Sequence, residues 1–512
     1  MEEFKDLDRI DNLHRLPVIR TTETICSDDN FATLLEEIYD SNECMEMPRR
    51  EEMMKLEAFS LDELRSAMRC MKNRRCTDRE GLSLEQVKYR PEELHVEVLR
   101  IFNQLILEGH THDSWREIMF HMIAKSGDLT LATNYRPIAI LPILYKIFSR
   151  MMYRRLRGRL DDAQSDDQAG FRPGIRIEDA IGTAESLISA CIEYDMDLWI
   201  ASLDLRKAFD RLEHFAIFES LRDQAITNPE IALLLDLYSD QKGCVNQSRD
   251  FEICRGVKQD DSLSSLLSNA VLEGVFRKWK HRIGEAGWRI RMNFERLTNT
   301  RYADDILVYA KSLEELMMMM EMLGEELAAI GLSMHETKTK ILTTSTNPQF
   351  QWVEIGGMMI EILQRDHCHK YLGRLLNMDP TKRINFELQN RMRMCWAKFH
   401  QHRRWLVNMD VPVGLRLRLF DAICSPTILF GSAVLPLGLK QRQSLDILQR
   451  KMLRLMVGWR RLPGEEWSVT MDRMNFRMKK ACDQHPIGSW EVSFHRHRWR
   501  YALHVVQKGK MN

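Results

Sequence analysis

The apolar residues of this sequence recur mainly at helical spacing, and short apolar runs interrupt that pattern in the centre of the chain. Ser60 begins a Ser-Leu-Asp-Glu capping box, which predicts a helix through about Met71. Apolar stripes predict further helices over residues 91–108 and about 144–160. From residue 385 onward the pattern is mainly amphipathic helix, so helices are expected on both sides of the central part.

The central part carries two strand-like segments that end in acids. Residues 197–204 form a short apolar run, which predicts a buried strand that delivers Asp204 to a surface. Residues 301–310 predict a tight hairpin with Asp304 and Asp305 at its tip. Helical patterns occupy residues 262–278 and 312–330.

The 512 residues include 74 basic and 74 acidic side chains, so the formal net charge is zero. Hydrophobic residues make up 44% and charged residues 29%, which excludes a collagen-like, wholly disordered or multi-span membrane chain. The charge is unevenly placed: residues 1–60 carry a net of −9 and residues 381–512 a net of +16. The basic end predicts a polyanionic partner, with a solvated helix surface as the alternative.

The cysteines and the apolar stretches indicate the compartment. Eleven widely spread cysteines, without a signal-peptide pattern, predict reduced thiols in an intracellular protein. His367, Cys368 and His369 are adjacent, and neighbouring strand residues point to opposite faces, so no metal site is expected there. The longest apolar stretch, residues 426–439, is too short to span a bilayer, so no membrane association is expected.

The three acids carry the first chemical signal. Adjacent carboxylates such as Asp304 and Asp305 repel each other unless a cation lies between them, although acid pairs in turns are often only structural. If the strand ending in Asp204 neighbours the hairpin, three carboxylates converge and can bind two Mg²⁺ ions roughly 4 Å apart. Such a pair activates an attacking hydroxyl and neutralises leaving pyrophosphate, which is the chemistry of a nucleotidyl transferase.

Seven sequence blocks occur in one order between about residue 58 and residue 375. They are Asn134–Ile138, Gln168–Gly174, Asp204–Asp210, Gly256–Gln259, Tyr302–Asp305, Lys338–Lys340 and His369–Gly373. This set resembles the reverse transcriptase domain of non-LTR (LINE-type) retrotransposons, in which the last five blocks are motifs A, B, C and D and the primer grip.

The resemblance implies an α+β, right-hand polymerase fold with fingers, a palm with an antiparallel sheet and a helical thumb. Two Mg²⁺ ions, or Mn²⁺, would be bound by Asp204, Asp304 and Asp305, which are also the implied catalytic residues. The expected domains are an acidic N-terminal arm (1–57), fingers (58–196), palm (197–345), primer-grip region (346–380), and basic thumb with C-terminal extension (381–512).

The resemblance also implies roles for residues around the acids. Lys125 and Arg136 would meet the dNTP triphosphate, and Arg172 is a weaker candidate whose alternative is a fold-stabilising ion pair. Phe209 would exclude a ribose 2′-hydroxyl, with helix core as the alternative, and Gln259 would contact the dNTP from motif B. Lys338 would protonate the leaving pyrophosphate, with a solvated lysine as the alternative. Tyr302, Tyr371 and Gly373 would lie at the primer or template.

The sequence departs from the family pattern in motif B. The usual second glycine is Asp260, and two usual prolines are Ser262 and Ser265. Glycine lets the backbone approach the incoming nucleotide, whereas a carboxylate adds bulk and negative charge there. The family's Gly-x-Asp-Gly element is also altered (Asp78–Gly81), and His335 replaces motif D's asparagine.

The expected function is RNA-directed DNA polymerisation in a non-LTR retrotransposon, with an RNA template, a DNA primer and dNTPs as partners. The alternatives are a non-catalytic nucleic-acid-binding remnant and an intron maturase-type protein. The basic tail would follow the template–primer backbone. A separate endonuclease would supply nicked DNA, and the family implies the nucleus. The sequence does not indicate the oligomeric state.

Overall fold

A computed structural model describes residues 26–41, 50–125, 128–246, 248–289, 296–346, 348 and 350–511. These residues form two compact units. The first unit comprises residues 1–165, 206–279 and 325–333, and the second comprises residues 166–205, 280–324 and 334–512. The expected acidic arm lies outside the described residues at positions 1–25 and 42–49.

The described helices follow one another in chain order as eighteen elements. They are α1 (Asp28–Tyr39), α2 (Arg50–Met53), α3 (Leu61–Cys70), α4 (Leu84–Lys88), α5 (Glu92–Glu108), α6 (Ile143–Ala163), α7 (Ile177–Glu193), α8 (Ala208–Arg211), α9 (His214–Asp223), α10 (Asn228–Tyr238), α11 (Ser262–Ile283), α12 (Leu313–Ala328), α13 (Arg383–Gln401), α14 (Arg403–Leu406), α15 (Val413–Ile428), α16 (Leu439–Met456), α17 (Trp467–Gln484) and α18 (Trp490–Met511). Within the described residues, no helix is both long and apolar enough to cross a membrane.

Twelve strands are described, and they form three sheets. They are β1 (Glu117–Ala124), β2 (Tyr135–Ile140), β3 (Trp199–Leu203), β4 (Gln241–Val245), β5 (Phe251–Ile253), β6 (Asn299–Tyr302), β7 (Asp305–Ala310), β8 (Lys340–Thr343), β9 (Trp352–Ile355), β10 (Met358–Ile362), β11 (His369–Tyr371) and β12 (Arg374–Leu376). The first unit has the sheet β2-β1-β4-β5. The second unit has the sheet β6-β7-β3-β8-β10-β9 and the hairpin β11-β12.

The predicted local elements are present with small shifts at their ends. The Ser60 hydroxyl accepts from the Glu63 N–H at 3.2 Å and the Glu63 carboxylate accepts from the Ser60 N–H at 2.8 Å, so the capping box is confirmed. The strand before Asp204 spans Trp199–Leu203 and is buried throughout. The hairpin is confirmed with one change, because Asp305 is the first residue of β7 rather than part of the turn.

The described part of the N-terminal region is more tightly packed than the weak pattern of residues 1–55 suggested. Helix α1 buries five side chains in the first unit, among them Phe31 and Tyr39. The ring of Tyr39 stacks on Phe120 with centroids 5.5 Å apart. The exposed face of helix α1 carries the acidic residues, and these charges obscure the apolar stripe in the sequence.

The C-terminal helices of the second unit enclose a hydrophobic core. Trp490 is fully buried and stacks on Phe420 with ring centroids 5.7 Å apart. Trp467 and Trp499, by contrast, are 59% and 71% exposed. The tryptophans of this basic region therefore divide between the core and the surface.

Candidate active site

The first predicted acid lies at the end of the central strand β3 in the second unit. β3 pairs antiparallel with β7, and its last residue, Leu203, is opposite Ile306. Continuing this register brings Asp204 beside Asp305, the first residue of β7. The Asp204 backbone carbonyl also accepts a hydrogen bond from the His335 N–H at 2.8 Å, which fixes the chain as it leaves the strand.

The other two acids are held by the hairpin of β6 and β7. Tyr302 and Asp305 form its last pair, so Ala303 and Asp304 make a two-residue turn. Ala303 has a φ of 59°, in the left-handed region that tight hairpin turns require but that glycine normally occupies. The turn therefore presents Asp304 at the cost of backbone strain.

The three carboxylates affect one another electrostatically. The pKa of Asp305 rises to about 6, chiefly because surrounding protein limits the hydration of this partly exposed group, and further because Asp304 and Asp204 are close. Lys370, on β11, opposes this rise. Repulsion among neighbouring carboxylates is the condition that a bound cation relieves.

Carboxylate oxygens are the ligands that Mg²⁺ prefers, so the residue types fit the expected metal. Lys338, on the motif D turn, places its Nζ atom 3.3 Å from Asp204 Oδ1 and supplies positive charge beside the acids. Among the described residues, no three His, Cys, Asp or Glu side chains are grouped tightly enough to hold a metal ion. The assignment of Asp204, Asp304 and Asp305 as metal ligands remains a prediction.

The Gln168–Gly174 block lies against this hairpin, a relation that the sequence did not reveal. The Gln168 side-chain oxygen accepts from the Ala303 N–H at 3.1 Å. A Cβ atom on Gly170 would lie 2.3 Å from the Ala303 nitrogen. Arg172 donates to the Gln168 carbonyl at 3.2 Å, a fold-stabilising contact. The block therefore supports the turn that carries Asp304.

The primer-grip segment forms the hairpin β11-β12 in the second unit. Leu372 and Gly373 make its turn, with φ values of 47° and 76°, and Arg391 donates to the Gly373 carbonyl. Tyr371 is only 3% exposed and belongs to the core beneath the hairpin. His369 contacts the Ser202 hydroxyl at 2.8 Å, and burial lowers its pKa to about 4, so it is neutral at neutral pH.

The first unit contains the predicted nucleotide residues. β1 and β2 form a hairpin in which Ile123 is opposite Arg136, and the Lys125 N–H donates to the Asn134 carbonyl at 2.8 Å. Lys125 and Arg136 therefore lie at the same end of this hairpin, and both are exposed. Two cations at one hairpin end suit a polyphosphate.

Phe209 and Gln259 are joined through a buried acid, Asp210, in the first unit. Asp210 Oδ1 accepts from Gln259 Nε2 at 2.6 Å and from the Tyr39 hydroxyl at 3.0 Å. Burial raises the pKa of Asp210, and these two hydrogen bonds oppose part of the rise. The Val257 N–H donates to the Phe209 carbonyl at 2.7 Å, so motifs A and B are fixed together. Phe209 itself is half-buried.

Motif B contains a second strained residue. Asp260 has a φ of 69° and is exposed, so it occupies a backbone conformation that favours glycine. Its neighbour Asp261 is buried and accepts from the Tyr145 hydroxyl at 2.8 Å and from the Ser149 hydroxyl. The family glycine at position 260 is therefore explained by backbone conformation, and the loop is held from position 261.

Residues 123–376 match the family model described as "Reverse transcriptase (RNA-dependent DNA polymerase)". The chain carries a reverse transcriptase domain. The match includes motifs A to D and the primer grip, and it confirms the predicted fold class, an α+β polymerase fold of the right-hand type.

Relatives of this reverse transcriptase domain are proteins of non-LTR retrotransposons, as the motifs predicted. The chain is 27% identical to the "Transposon TX1 uncharacterized 149 kDa protein" of Xenopus laevis, over 55% of this chain and 22% of that protein. It is 25% identical to the Pol polyprotein of the type-2 retrotransposable element R2DM of Drosophila melanogaster, over 56% of this chain and 27% of that protein.

A third relative matches over a longer range. It is the "RNA-directed DNA polymerase from mobile element jockey" of Drosophila melanogaster, 22% identical over 80% of this chain and 44% of that protein. The chain thus spans less than half the length of each of these three relatives. The reverse transcriptase domain is of the non-LTR type.

Proposed function

We propose that this chain is an RNA-directed DNA polymerase that adds dNTPs to a primer 3′ hydroxyl on an RNA template. The observation that carries the proposal is the convergence of Asp204, Asp304 and Asp305 at one end of the six-stranded sheet. Limited hydration, together with the charges of the other two acids, raises the pKa of Asp305 to about 6. A site that concentrates negative charge in this way suits divalent cations.

Asp204, Asp304 and Asp305 would hold two Mg²⁺ ions, or Mn²⁺. When bound, the ions supply Lewis-acid activation of the primer hydroxyl and neutralise the charge on the leaving pyrophosphate. Lys338, which already contacts Asp204, would be the proton donor to pyrophosphate. In this proposal, the residues that promote phosphoryl transfer all belong to the second unit.

The first unit would bind the nucleotide. Lys125 and Arg136 would pair with the triphosphate from their common hairpin end. The half-buried ring of Phe209 would exclude a 2′-hydroxyl. Gln259 would contact the dNTP while its amide nitrogen remains fixed to Asp210.

The nucleic acid would be bound by the second unit. Tyr302 and Gly373 are proposed at the primer end, whereas the buried Tyr371 would support that hairpin from beneath. The basic residues of 381–512 would follow the template–primer backbone, and exposed Trp467 and Trp499 are suited to stacking on bases.

We propose that residues 58–196 form the fingers and residues 197–345 the palm. Residues 346–380 would form the primer-grip region, and residues 381–512 the thumb with its C-terminal extension. A nuclear location is proposed because such elements prime on chromosomal DNA. A separate endonuclease is proposed as the source of the nick.

Primer extension tests the proposal. The assay contains an RNA template, an annealed DNA primer, dNTPs and Mg²⁺, and compares the parent with Asp304→Asn. We expect extension by the parent and none by Asp304→Asn. Equal extension by both proteins would refute the assigned site, and omission of the RNA template gives the background.

A specific observation favours the non-catalytic remnant as second candidate. Asp260 places a carboxylate, on strained backbone, where the family has glycine. If decay of motif B alone has silenced the enzyme, Asp260→Gly will extend the primer and the parent will not. If the chain is a remnant, all variants will be inactive while salt-sensitive RNA binding persists.

A further inference from the structure

We propose that Gln168 is a positioning residue, which holds the Tyr302–Asp305 turn in the conformation that directs Asp304 towards the metal ions. The proposal deepens the proposed function and rests on it. It concerns backbone geometry in the second unit, where Gln168 is fully buried.

The chain around Gln168 is hydrogen-bonded to the outer edge of the hairpin through an isolated bridge. β6 is the edge strand of the six-stranded sheet. On its outer side the Arg301 N–H donates to the Asp167 carbonyl, and the Ala169 N–H donates to the Arg301 carbonyl, both at 2.7 Å. Gln168 thus forms a parallel bridge with Arg301, the residue directly before Tyr302.

The Gln168 side chain then reaches the turn itself. Its Oε1 atom accepts from the Gly170 N–H at 2.9 Å and from the Ala303 N–H at 3.1 Å. The whole residue is buried, so water does not replace these bonds when they are lost. One side-chain oxygen therefore links the segment around Gln168 to the residue before Asp304.

Gly170 allows this close approach. A Cβ atom there would lie 2.3 Å from the Ala303 nitrogen and 2.9 Å from the Tyr302 carbonyl carbon. Any side chain at position 170 would push the two backbones apart and lengthen the bond from Ala303 to Gln168. The glycine serves close packing, since its φ is not in the left-handed region.

The linked residue is the strained one. Ala303 has a φ of 59°, a conformation that non-glycine residues keep only where the surroundings impose it. The bond from its N–H to Gln168 is such a constraint. Because Ala303 directly precedes Asp304, a relaxed φ at Ala303 would redirect the Asp304 carboxylate.

The orientation of the Gln168 amide fits a role as acceptor. Within the described part of the chain its Nε2 atom is buried and has no hydrogen-bond partner. The N–H groups of Gly170 and Ala303 require the amide oxygen to face the turn, so the amide nitrogen points away from it. The side chain is therefore arranged around the Ala303 bond rather than for full hydrogen bonding.

Gln168→Met tests this inference, because methionine keeps the length and loses the acceptor. We expect kcat to fall about tenfold or more with the dNTP KM within about twofold, since only the metal-bound transition state needs the correct Asp304. Mn²⁺ titration followed by electron paramagnetic resonance, without nucleotide, should show about three- to tenfold weaker binding. Gln164→Met is the matched control, because Gln164 is another buried glutamine, in the first unit.

Ala303→Gly in the Gln168→Met background separates positioning from packing. Glycine adopts a positive φ without strain, so it should restore part of kcat and of the Mn²⁺ affinity. Thermal unfolding of all variants checks the fold. A purely structural role predicts that Ala303→Gly raises the melting temperature without restoring the Mn²⁺ affinity.

The inference is overturned if Gln168→Met binds Mn²⁺ like the parent, or if Gln164→Met weakens binding equally. Failure of the proposed function is a different result. A parent that never extends a primer, but binds Mn²⁺ more tightly than Gln168→Met, would refute polymerase activity and retain the positioning role.

Discussion

Several non-glycine residues of this protein lie in the left-handed region, and two of them, Ala303 and Asp260, differ in their surroundings. Ala303, in the second unit, has a φ of 59° and is buried beneath Gln168 and Gly170. Asp260, in the first unit, has a φ of 69° and is exposed. Strain lasts where neighbours impose it, and buried contacts surround the first turn. The second turn is exposed, at a position where the family resemblance implies glycine.

The same contrast extends to the charges of the two units. The acids of the second unit are close together, and the proposed metal ions would relieve their repulsion. In the first unit Lys258, also in motif B, is buried and donates to the Trp115 carbonyl at 3.0 Å. Burial lowers its pKa to about 7, so keeping this side chain charged costs free energy in the folded protein.

Replacement of Asp304 in the second unit should have the strongest effect on activity. Asp304→Asn should lower the rate of primer extension by about 100-fold or more, because it removes a charge that the ions require. Asp410→Asn, at an exposed acid of the same unit, is the control and should extend normally. A rate within twofold of the parent would contradict the assignment.

A pH series tests the buried lysine of the first unit. Lys258 is deprotonated in the folded protein above about pH 7, whereas in the unfolded chain it stays protonated up to about pH 10. The unfolded state therefore binds more protons in this window, and the free energy of unfolding should rise with pH, by at most about 1.4 kcal/mol per unit.

Lys258→Met should remove this slope and stabilise the protein at pH 7. Urea unfolding at pH 6.5 to 9.5 measures the effect. Lys242→Met, at an exposed lysine of β4, is the control and should keep the parent's slope. Identical slopes for the parent and Lys258→Met would contradict the burial of this charge.

Tyr39→Phe tests the hydrogen bond that fixes Asp210 and thereby Gln259. Loss of a hydroxyl donor to a buried carboxylate should lower the free energy of unfolding by about 1.5–3 kcal/mol. The dNTP KM should also rise, since Gln259 loses its fixed partner. Tyr89→Phe, at a tyrosine that is 65% exposed, should do neither. An unchanged dNTP KM would show that the network is only structural.

Asp260→Gly tests the strain in the exposed turn of the first unit, and its effect should be small. Asp260→Gly should raise the free energy of unfolding by about 1 kcal/mol, because glycine takes a positive φ without strain. Asp240→Gly is a matched control: Asp240 also has a positive φ, of 49°, and is exposed in the same unit. Both changes should stabilise the protein, and only Asp260→Gly should lower the dNTP KM. An equal effect of both on KM would contradict a nucleotide role for position 260.

Local features of this fold were predictable because their signals are local. The capping box at Ser60, the buried strand before Asp204 and the hairpin before Asp305 each follow from a few neighbouring residues. The long-range contacts that hold these elements in place were not predictable. Gln168 and Ala303 are separated by 135 positions, and Tyr39 and Asp210 by 171, so no periodic pattern connects them.

Resemblance to the family gave residue roles but not their physical basis. It indicated that Gln168 and Gly170 belong to a block, while the structure shows the oxygen and the absent Cβ that bring the block to Ala303. It marked Asp260 as a departure, and the positive φ explains why the family has glycine there. Tyr371 shows the opposite case, because a residue expected at the primer is in the core.

Metal binding by Asp204, Asp304 and Asp305 is the central claim, and Mn²⁺ titration tests it without any need for catalysis. Free Mn²⁺ would be measured by electron paramagnetic resonance for the parent and for the Asp204→Asn, Asp304→Asn double variant at pH 7.5. We expect the parent to bind Mn²⁺ and the double variant to bind it at least about tenfold more weakly. Equal binding by both proteins would contradict it.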